Sequence, residues 1–311
     1  MPKVSVVVQT YNHAPYLAAC LDGILNQSTS FDVEILVHDD ASTDGTSDIL
    51  RDYASRYPSI QAWIQTENQY KLGMNAFILN ASRATGDYLA VCDGDDEWID
   101  PLKLQRQVDH LDHHPECALV VHAFEKVLAS DPNRKTRVRY PQSLVDLGDM
   151  IKAPGCYFSY STFMFRRQDL DFGEDFAVLR ITDLPRLLYS GIIGEIHYLD
   201  EVMSRYRKGV PNSYNYRNLI APQTTIAHTH RAIEFFTRLK THAPHYEALI
   251  DQRIQGLQVR LCVKSRDPKM RHALHPVISA LPFKQRLAFE LEYHFPRIYR
   301  RYLARRLSHT L

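Results

Sequence analysis

The chain has 311 residues, of which 45% are hydrophobic and 23% are charged, a composition typical of a folded globular protein and unlike that of a disordered or fibrous chain. Its formal net charge of +1 hides a division, because residues 1–199 hold 17 Lys and Arg against 28 Asp and Glu, whereas residues 200–311 hold 20 against 8. We therefore expect the second part of the chain to face something anionic, such as a membrane surface or a nucleic acid.

The first part of the chain alternates predicted strands with predicted helices. A continuous β-branched run predicts a strand at 4–9, and further strands are predicted at 33–37, 60–65 and 88–92. The spacing of apolar residues predicts helices at 16–26, 44–57, 74–84 and 101–113. Ser42, Thr43 or Asp44 is expected to cap the second of these helices. Alternation with short connections predicts an α/β fold with a doubly wound, mostly parallel sheet.

The pattern changes after residue 117. Longer, partly antiparallel strands are predicted at 118–127, 136–140, 157–165 and 196–206, with a short helix at 182–190. From about residue 222 onward the spacing is helical, notably at 222–241, 245–265 and 296–311. We expect two domains, an α/β domain over residues 1–212 and a basic helical extension over residues 213–311.

The five cysteines have no paired spacing, and most lie in apolar runs: Cys20, Cys92, Cys117, Cys156 and Cys262. They are interpreted as free thiols in a reducing compartment, not as disulfides or zinc ligands.

No signal peptide precedes the strand that begins near Lys3, and no apolar run approaches the roughly 18 residues of a membrane span. A cytoplasmic protein that does not cross the membrane is therefore expected.

Three carboxylates, Asp93, Asp95 and Asp96, directly follow the fourth predicted strand. At the end of a buried strand they repel one another unless a cation or hydrogen-bond donors neutralise them. The Asp-x-Asp spacing of Asp93 and Asp95 lets both face one point, and such hard oxygen ligands suit Mg²⁺ or Mn²⁺. The alternative is an acidic loop before the next helix, for which Asp100 and Pro101 are a typical N-cap and first helical residue.

Polar residues also follow the first two predicted strands. Because ligands of doubly wound sheets lie beyond the carboxyl ends of the strands, residues 10–12, Asp39 and Asp40 are expected to share one crevice with the acidic cluster. Tyr11 can stack on a nucleobase and Asp39 can accept a hydrogen bond from it. The structural alternatives are a wedge under the next helix for Tyr11 and helix capping for residues 42–44. The dinucleotide-binding glycine motif and the P-loop are both absent from the sequence.

Together these segments resemble the inverting GT-A glycosyltransferases of family 2, especially bacterial members that build cell-surface polysaccharides. The resemblance covers about residues 3–207 and is carried by residues 4–12, 38–46, 66–68, 84–88, 92–96 and 98–105. It implies a GT-A-type, Rossmann-like sheet, with the helical extension following it. It also implies Mn²⁺ or Mg²⁺ and a nucleotide-sugar donor, with a UDP-sugar as the first candidate. The acceptor would be a hydroxyl of a glycan or of a lipid-linked oligosaccharide.

Carried over position by position, the resemblance also implies roles for individual residues. The nucleotide would be held by Thr10, Tyr11, Asp39, Asn68 and Asp93, with Asp40 in support and Arg207 near the diphosphate. Asp93 and Asp95 would form the metal site, and Asp96 would brace the loop. Many family members have a metal-ligating histidine just after this arginine, a position that Lys208 occupies here.

The family uses a carboxylate as general base. Asp183, which opens a predicted helix, is the first candidate, and Asp175 or Glu174 is the second. The structural alternative for Asp183 is an acid that stabilises the first turn of that helix.

Residues 296–311 form a predicted helix with tyrosines and leucines on one side and arginines mostly on the other. Such a helix can lie at the inner face of the cell membrane, or it can pack on its own domain with its arginines in solvent. No recognition motif for nucleic acid accompanies the charge. Two other functions remain open: nucleotidyl transfer, for which a basic triphosphate loop is missing after the first strand, and a catalytically silent binding or scaffold subunit.

Overall fold

The computed structural model describes residues 1–171, 173, 183–211, 213 and 222–296. The chain divides into two compact units, residues 1–216 and residues 217–311. Among the described helices, none combines the length and the apolar character that crossing a membrane requires.

The first unit contains nine strands and six helices within its described residues. In chain order these are β1 (Val4–Thr10), α1 (Ala14–Leu25), β2 (Val33–Asp39), α2 (Thr46–Arg56), β3 (Ile60–Ile64), α3 (Ala76–Ala81), β4 (Tyr88–Asp93), β5 (Glu97–Trp98), α4 (Lys103–His113), β6 (Cys117–Leu128), β7 (Asp131–Val138), α5 (Leu147–Lys152), β8 (Met164–Arg166), α6 (Asp183–Ile193) and β9 (Glu195–Lys208). The predicted α/β alternation over the first 113 residues is confirmed.

The strands form one sheet in the order β3-β2-β1-β4-β8-β6-β9-β5, and β7 pairs with β6 at its side. Strands β3, β2, β1 and β4 are parallel to one another, and β6 is parallel to β9, whereas β8 runs antiparallel to both β4 and β6. In this register Thr10 lies opposite Asp39, and Gln9 lies opposite Asp93. The polar residues that end β1, β2 and β4 therefore meet at one edge of the sheet.

The central strands are buried on both faces, as their β-branched runs predict. Val4, Val6, Val7 and Val8 of β1 are fully inaccessible to solvent. Helix α1 covers one face with four apolar side chains at helical spacing: Leu17, Cys20, Leu21 and Ile24. Burial of each aliphatic side chain stabilises the fold by roughly 1.5–3 kcal/mol. This core therefore stabilises the strands whose ends carry the polar residues.

Two predicted local structures are wrong. Residues 157–165, predicted as one strand, form a 3-10 turn (Tyr160–Thr162) before the short strand β8. The reason is local competition, because the Thr162 hydroxyl donates to the Ser159 carbonyl at 2.7 Å and stabilises the turn.

The predicted cap of the second helix is also wrong. Helix α2 begins after Gly45, at φ 93°, and this N-cap residue makes no side-chain capping bond. Asp44 instead accepts from the amide of Thr46 two positions later.

The second unit is helical over its described residues. Its helices are α7 (Pro222–His242), α8 (Glu247–Ser265), α9 (Pro268–Ala273), α10 (His275–Ala280) and α11 (Phe283–His294). A small apolar core of Cys262, Val263, Ile278 and Phe289 joins α8, α10 and α11. Of the helix predicted over residues 296–311, all but the first residue lies outside the described residues.

Candidate active site

The loops that follow β1 and β2 are bound tightly to each other. The backbone amide of Asn12 donates to Ser42 Oγ at 2.8 Å, and Asn12 Oδ1 accepts from the amide of Thr43 at 2.8 Å. The next amide, that of His13, donates to Thr46 Oγ1 at 2.9 Å. Asn12 can make these bonds because it adopts the left-handed conformation, at φ 57°. These contacts give the crevice a rigid floor at the ends of two neighbouring strands.

Asp39 ends β2 and is completely buried. Its Oδ1 accepts from the amide of Ser42 at 3.2 Å and from the Ser42 hydroxyl at 2.5 Å, and its Oδ2 accepts from the Ser47 hydroxyl. The carboxylate therefore orders the loop that follows β2. On the neighbouring strand, Thr10 is buried, and within the described structure its Oγ1 has no hydrogen-bond partner. The half-buried Tyr11 follows it at the same edge.

Asp40 ties the loop that follows β3 to this edge. Its two carboxylate oxygens accept from the amides of Gln69 at 2.6 Å and Tyr70 at 3.3 Å, and its carbonyl accepts from Asn68 Nδ2 at 2.8 Å. Burial raises the pKa of Asp40, but the side chain of His38 and the two amides outweigh it, so that the pKa lies below its usual value. Asp40 and Asn68 thus shape the wall of the crevice through contacts with protein groups.

The acidic cluster after β4 lies beside this wall. Burial, and after it the negative charges of Asp95 and Asp183, raise the pKa of Asp93 to about 8. The side chain of Asp95 is 13% exposed, and its Oδ2 lies 3.8 Å from Nε2 of His13. A buried carboxylate whose pKa is raised by neighbouring negative charges binds a hard divalent cation well, since the cation removes the repulsion. Asp93 and Asp95 therefore fit Mg²⁺ or Mn²⁺.

Asp96 has a different environment from its two neighbours. It is 1% exposed, and it accepts hydrogen bonds from Ser159 Oγ and from the backbone amide of Arg207, both at 3.1 Å. Burial and the charges of Asp95 and Asp93 raise its pKa well above the usual value. These contacts make Asp96 a brace that joins the acidic loop to β9.

Gly94 permits the close approach of the acidic loop to β1. A Cβ atom at this position would lie 2.7 Å from Thr10 Oγ1, 2.8 Å from Thr10 Cβ and 3.0 Å from His13 Nδ1. Any side chain here would push the loop away from the strand, because real Cβ atoms do not approach other atoms so closely. The small residue between Asp93 and Asp95 is therefore required by packing.

Arg207 reaches the crevice from the end of β9. Its guanidinium donates to the carbonyl of Asp95 at 2.9 Å and to Glu97 Oε2 at 2.6 Å. It also lies over the ring of Tyr16, at 5.4 Å from the centroid. Two contacts leave further N–H donors of the guanidinium for a ligand. The sequence pattern does not identify Glu97 or His13 as site residues, because neither belongs to a motif, although each directly follows a segment that carries the family resemblance.

Asp183 opens α6, and its Oδ1 accepts from the amide of Leu184 at 2.8 Å. Burial raises the pKa of Asp183, and its own charge raises the pKa values of Asp93 and of Cys156. The charge of Asp183 thus acts on the acidic cluster, although Asp183 lies 90 residues after Asp93 in the chain. The other candidate bases, Glu174 and Asp175, lie outside the described residues.

The family model described as glycosyl transferase family 2 matches residues 5–172. The relative Rv1520 of Mycobacterium tuberculosis, named as an uncharacterized protein, is 34% identical over 206 residues, 66% of this chain and 58% of that protein. An uncharacterized glycosyltransferase of Nostoc, alr2836, is 32% identical over 215 residues, 66% of this chain and 64% of that protein. TuaG of Bacillus subtilis, named for teichuronic acid biosynthesis, is 34% identical over 110 residues, 35% of this chain and 42% of that protein. The chain therefore spans less than two thirds of the length of these relatives.

Solved structures that share the fold include TarS and PcManGT. TarS of S. aureus, in complex with UDP, aligns with a TM-score of 0.55 at 18% identity, over 95% of this chain and 82% of that one. The mannosyltransferase PcManGT of Pyrobaculum calidifontis, in complex with GDP-Man and Mn²⁺, aligns with a TM-score of 0.54 at 19% identity, over 97% of this chain and 83% of that one. These likenesses confirm the predicted GT-A-type α/β fold followed by helices.

Proposed function

The chain belongs to glycosyl transferase family 2, and from this premise we propose that it transfers a sugar, with inversion, from a nucleotide-sugar donor to a hydroxyl group of an acceptor. The observation that carries the proposal is the convergence of Asp93, Asp95 and Asp183 at the edge where Thr10 and Asp39 end their strands. A doubly wound sheet binds ligands at this edge.

The nucleotide is assigned to the ends of β1 and β2. Tyr11 offers a ring face for the base, Thr10 offers a buried hydroxyl without a protein partner among the described residues, and Asp39 offers a carboxylate held in place by two serines. Asp40 and Asn68 support this wall through the loop after β3. We propose a UDP-sugar as the donor, since TarS, which shares the fold, has been solved with UDP.

The diphosphate is assigned to the acidic cluster together with Arg207. Asp93 and Asp95 would hold Mn²⁺ or Mg²⁺, and the Mn²⁺ bound to PcManGT supports this choice. When bound, the cation would neutralise the charge that grows on the departing diphosphate, which stabilises the transition state more than the ground state. Arg207, fixed by Glu97 and by the carbonyl of Asp95, adds positive charge at the same place.

Asp183 is proposed as the general base. Its carboxylate would take the proton of the acceptor hydroxyl while that oxygen bonds to the anomeric carbon on the face opposite the diphosphate. The bond from that carbon to the diphosphate oxygen breaks, and the nucleoside diphosphate leaves with the electron pair. Burial raises the pKa of Asp183, which strengthens it as a base, and its bond with Leu184 engages only Oδ1.

The acceptor is proposed to be a glycan or a lipid-linked oligosaccharide in cell-surface polysaccharide synthesis, as the name of TuaG suggests for that relative. Residues 1–212 would carry the catalytic domain. The basic residues 213–311 would attach the protein to the inner face of the cell membrane, where anionic headgroups attract Lys and Arg.

A binding screen tests the proposal. The thermal stability of the purified chain is measured with UDP, GDP, CDP and dTDP, each with and without Mn²⁺, and donor hydrolysis is then measured with the matching nucleotide-sugar. Stabilisation by one nucleoside diphosphate only when Mn²⁺ is present, followed by slow hydrolysis of its sugar, is the expected result. Binding without any release of nucleoside diphosphate would favour a catalytically silent subunit, and no binding would refute the nucleotide site.

A further inference from the structure

Three histidines meet at the edge of the sheet opposite the crevice. His110 and His114 are four residues apart and face the same side at the carboxyl end of α4, and His197 lies near the start of β9. The ring centroids are 4.4 Å apart for His110 and His114, 5.0 Å for His110 and His197, and 5.1 Å for His114 and His197. One ring nitrogen from each histidine lies within 4.8 Å of the other two.

These distances suit a small transition-metal ion. Tetrahedral Zn²⁺ binds imidazole nitrogens at 2.0–2.1 Å, which places neighbouring ligand atoms about 3.3 Å apart. His110 Nε2 already lies 2.8 Å from His197 Nδ1. Because the third nitrogen is within 4.8 Å, small rotations of the partly buried rings bring all three to the required spacing.

Two carboxylates hold the outer nitrogens of this cluster. Glu195 Oε2 lies 2.8 Å from Nε2 of His197, and Glu116 Oε1 lies 2.9 Å from Nδ1 of His114. Histidines that bind metals typically donate their other ring N–H to a carboxylate, which fixes the tautomer and directs the free lone pair at the ion. Here the carboxylates leave Nδ1 of His197 and Nε2 of His114 as the ligand atoms.

The remaining histidine, His110, is half-buried and offers its Nε2, which already faces Nδ1 of His197.

We propose that His110, His114 and His197 form a second metal site, separate from the acidic cluster, that takes Zn²⁺ or a similar borderline transition metal. Three imidazole ligands favour such ions over Mg²⁺ and Mn²⁺, which prefer carboxylates. His197 lies ten residues before Arg207 on β9, about 30 Å along the strand at roughly 3.3 Å per residue, so that the site takes no part in sugar transfer. Its effect is structural, because the ion ties the end of α4 to the start of β9.

Cobalt substitution tests the site without an activity assay. Tag-free full-length Asp95→Ala protein, in which the crevice lacks a metal ligand, is titrated with Co²⁺, and the visible absorption of tetrahedral Co²⁺ is recorded before competition with Zn²⁺. We expect one equivalent of tetrahedral Co²⁺, displaced by Zn²⁺. Adding His114→Ala or His197→Ala should abolish the band, and Glu195→Gln should weaken binding about 10- to 100-fold by freeing the ring of His197.

The exposed His113, next to His114 in the chain, provides the matched control. His113→Ala should bind Co²⁺ as the parent does. Circular dichroism of each variant separates loss of the site from loss of the fold, and Glu195→Gln remains informative because that side chain is 48% exposed. Absence of a tetrahedral band in the parent, or equal loss on His113→Ala, would overturn the proposal.

Discussion

The backbone amide of Arg207 donates a 3.1 Å hydrogen bond to Oδ1 of Asp96, 111 residues earlier in the chain. This bond fixes the last long strand of the sheet against the acidic loop. Since Ser159 also donates to Asp96, both oxygens of this carboxylate are occupied by protein donors.

Replacing Asp96 with Ala should destabilise the fold. The change leaves the amide of Arg207 without an acceptor, at a cost of about 1–3 kcal/mol for an unsatisfied group, and it leaves Ser159 Oγ with Ser161 Oγ alone at 2.8 Å. Asp96→Asn keeps one acceptor oxygen in the same shape and should cost much less. Urea unfolding of the two variants measures the difference, and equal stability would show that Asp96 is not a brace.

Asp95→Ala should abolish the Mn²⁺-dependent binding of UDP, because the crevice loses a carboxylate that is proposed to hold the cation. Calorimetric titration with UDP, with and without Mn²⁺, is the measurement. Asp48→Ala, at an acid whose side chain is 81% exposed on α2, is the matched control and should leave binding unchanged. Undiminished Mn²⁺-dependent binding by Asp95→Ala would remove Asp95 from the metal site.

Asp183→Asn should leave donor binding intact and lower turnover about 10²-fold or more, since amides cannot act as general bases. Asp149→Asn is a matched control, because Asp149 also lies in the first turn of a helix and its side chain is 54% exposed. Single-turnover kinetics together with UDP affinity separate chemistry from binding. If Asp183→Asn keeps normal turnover, the base lies elsewhere, and Asp175 is the next residue to replace.

Gly94→Ala should weaken donor binding and lower stability by about 1–3 kcal/mol, because the added methyl overlaps Thr10 and must displace the acidic loop. A Cβ at Gly155 meets no atom within 4 Å, so that Gly155→Ala serves as the control for the loss of glycine flexibility. Thermal unfolding and UDP titration measure both effects. Identical behaviour of the two variants would mean that the close approach at Gly94 is not needed.

Lys103 should make stability depend on pH in the alkaline range. Its side chain is completely buried and donates to Gln107 Oε1 at 2.6 Å, and burial lowers its pKa from 10.5 to about 7. Between pH 7 and 10.5 the unfolded chain binds more protons at this residue than the folded chain does, so this contribution to the free energy of unfolding rises with pH.

The rise should reach at most about 1.4 kcal/mol per pH unit, and it should be missing from Lys103→Met. Urea unfolding of both proteins at about pH 7, 8 and 9 gives the two slopes. Parallel slopes would show that Lys103 has a similar pKa in the folded and unfolded chains.

Local pattern is enough to predict the half of the sheet that carries the crevice. The runs that form β1, β2 and β4 are mostly apolar, β1 being rich in valine, and the polar residues that end them follow directly in the sequence. Because parallel neighbours end at the same edge of a sheet, this pattern alone predicts that Thr10, Asp39 and Asp93 lie close together.

Contacts between distant segments depend instead on the tertiary structure. The turn at residues 160–162 depends on a hydroxyl bonding to a nearby carbonyl, which overrides the strand-like apolar pattern. Asp183 acts electrostatically on Asp93, and Arg207 contacts Glu97, through the packing of elements far apart in the chain. The three-histidine cluster arises in the same way from α4 and β9. Periodicity and propensity report a residue's local conformation, whereas these sites depend on which elements pack side by side.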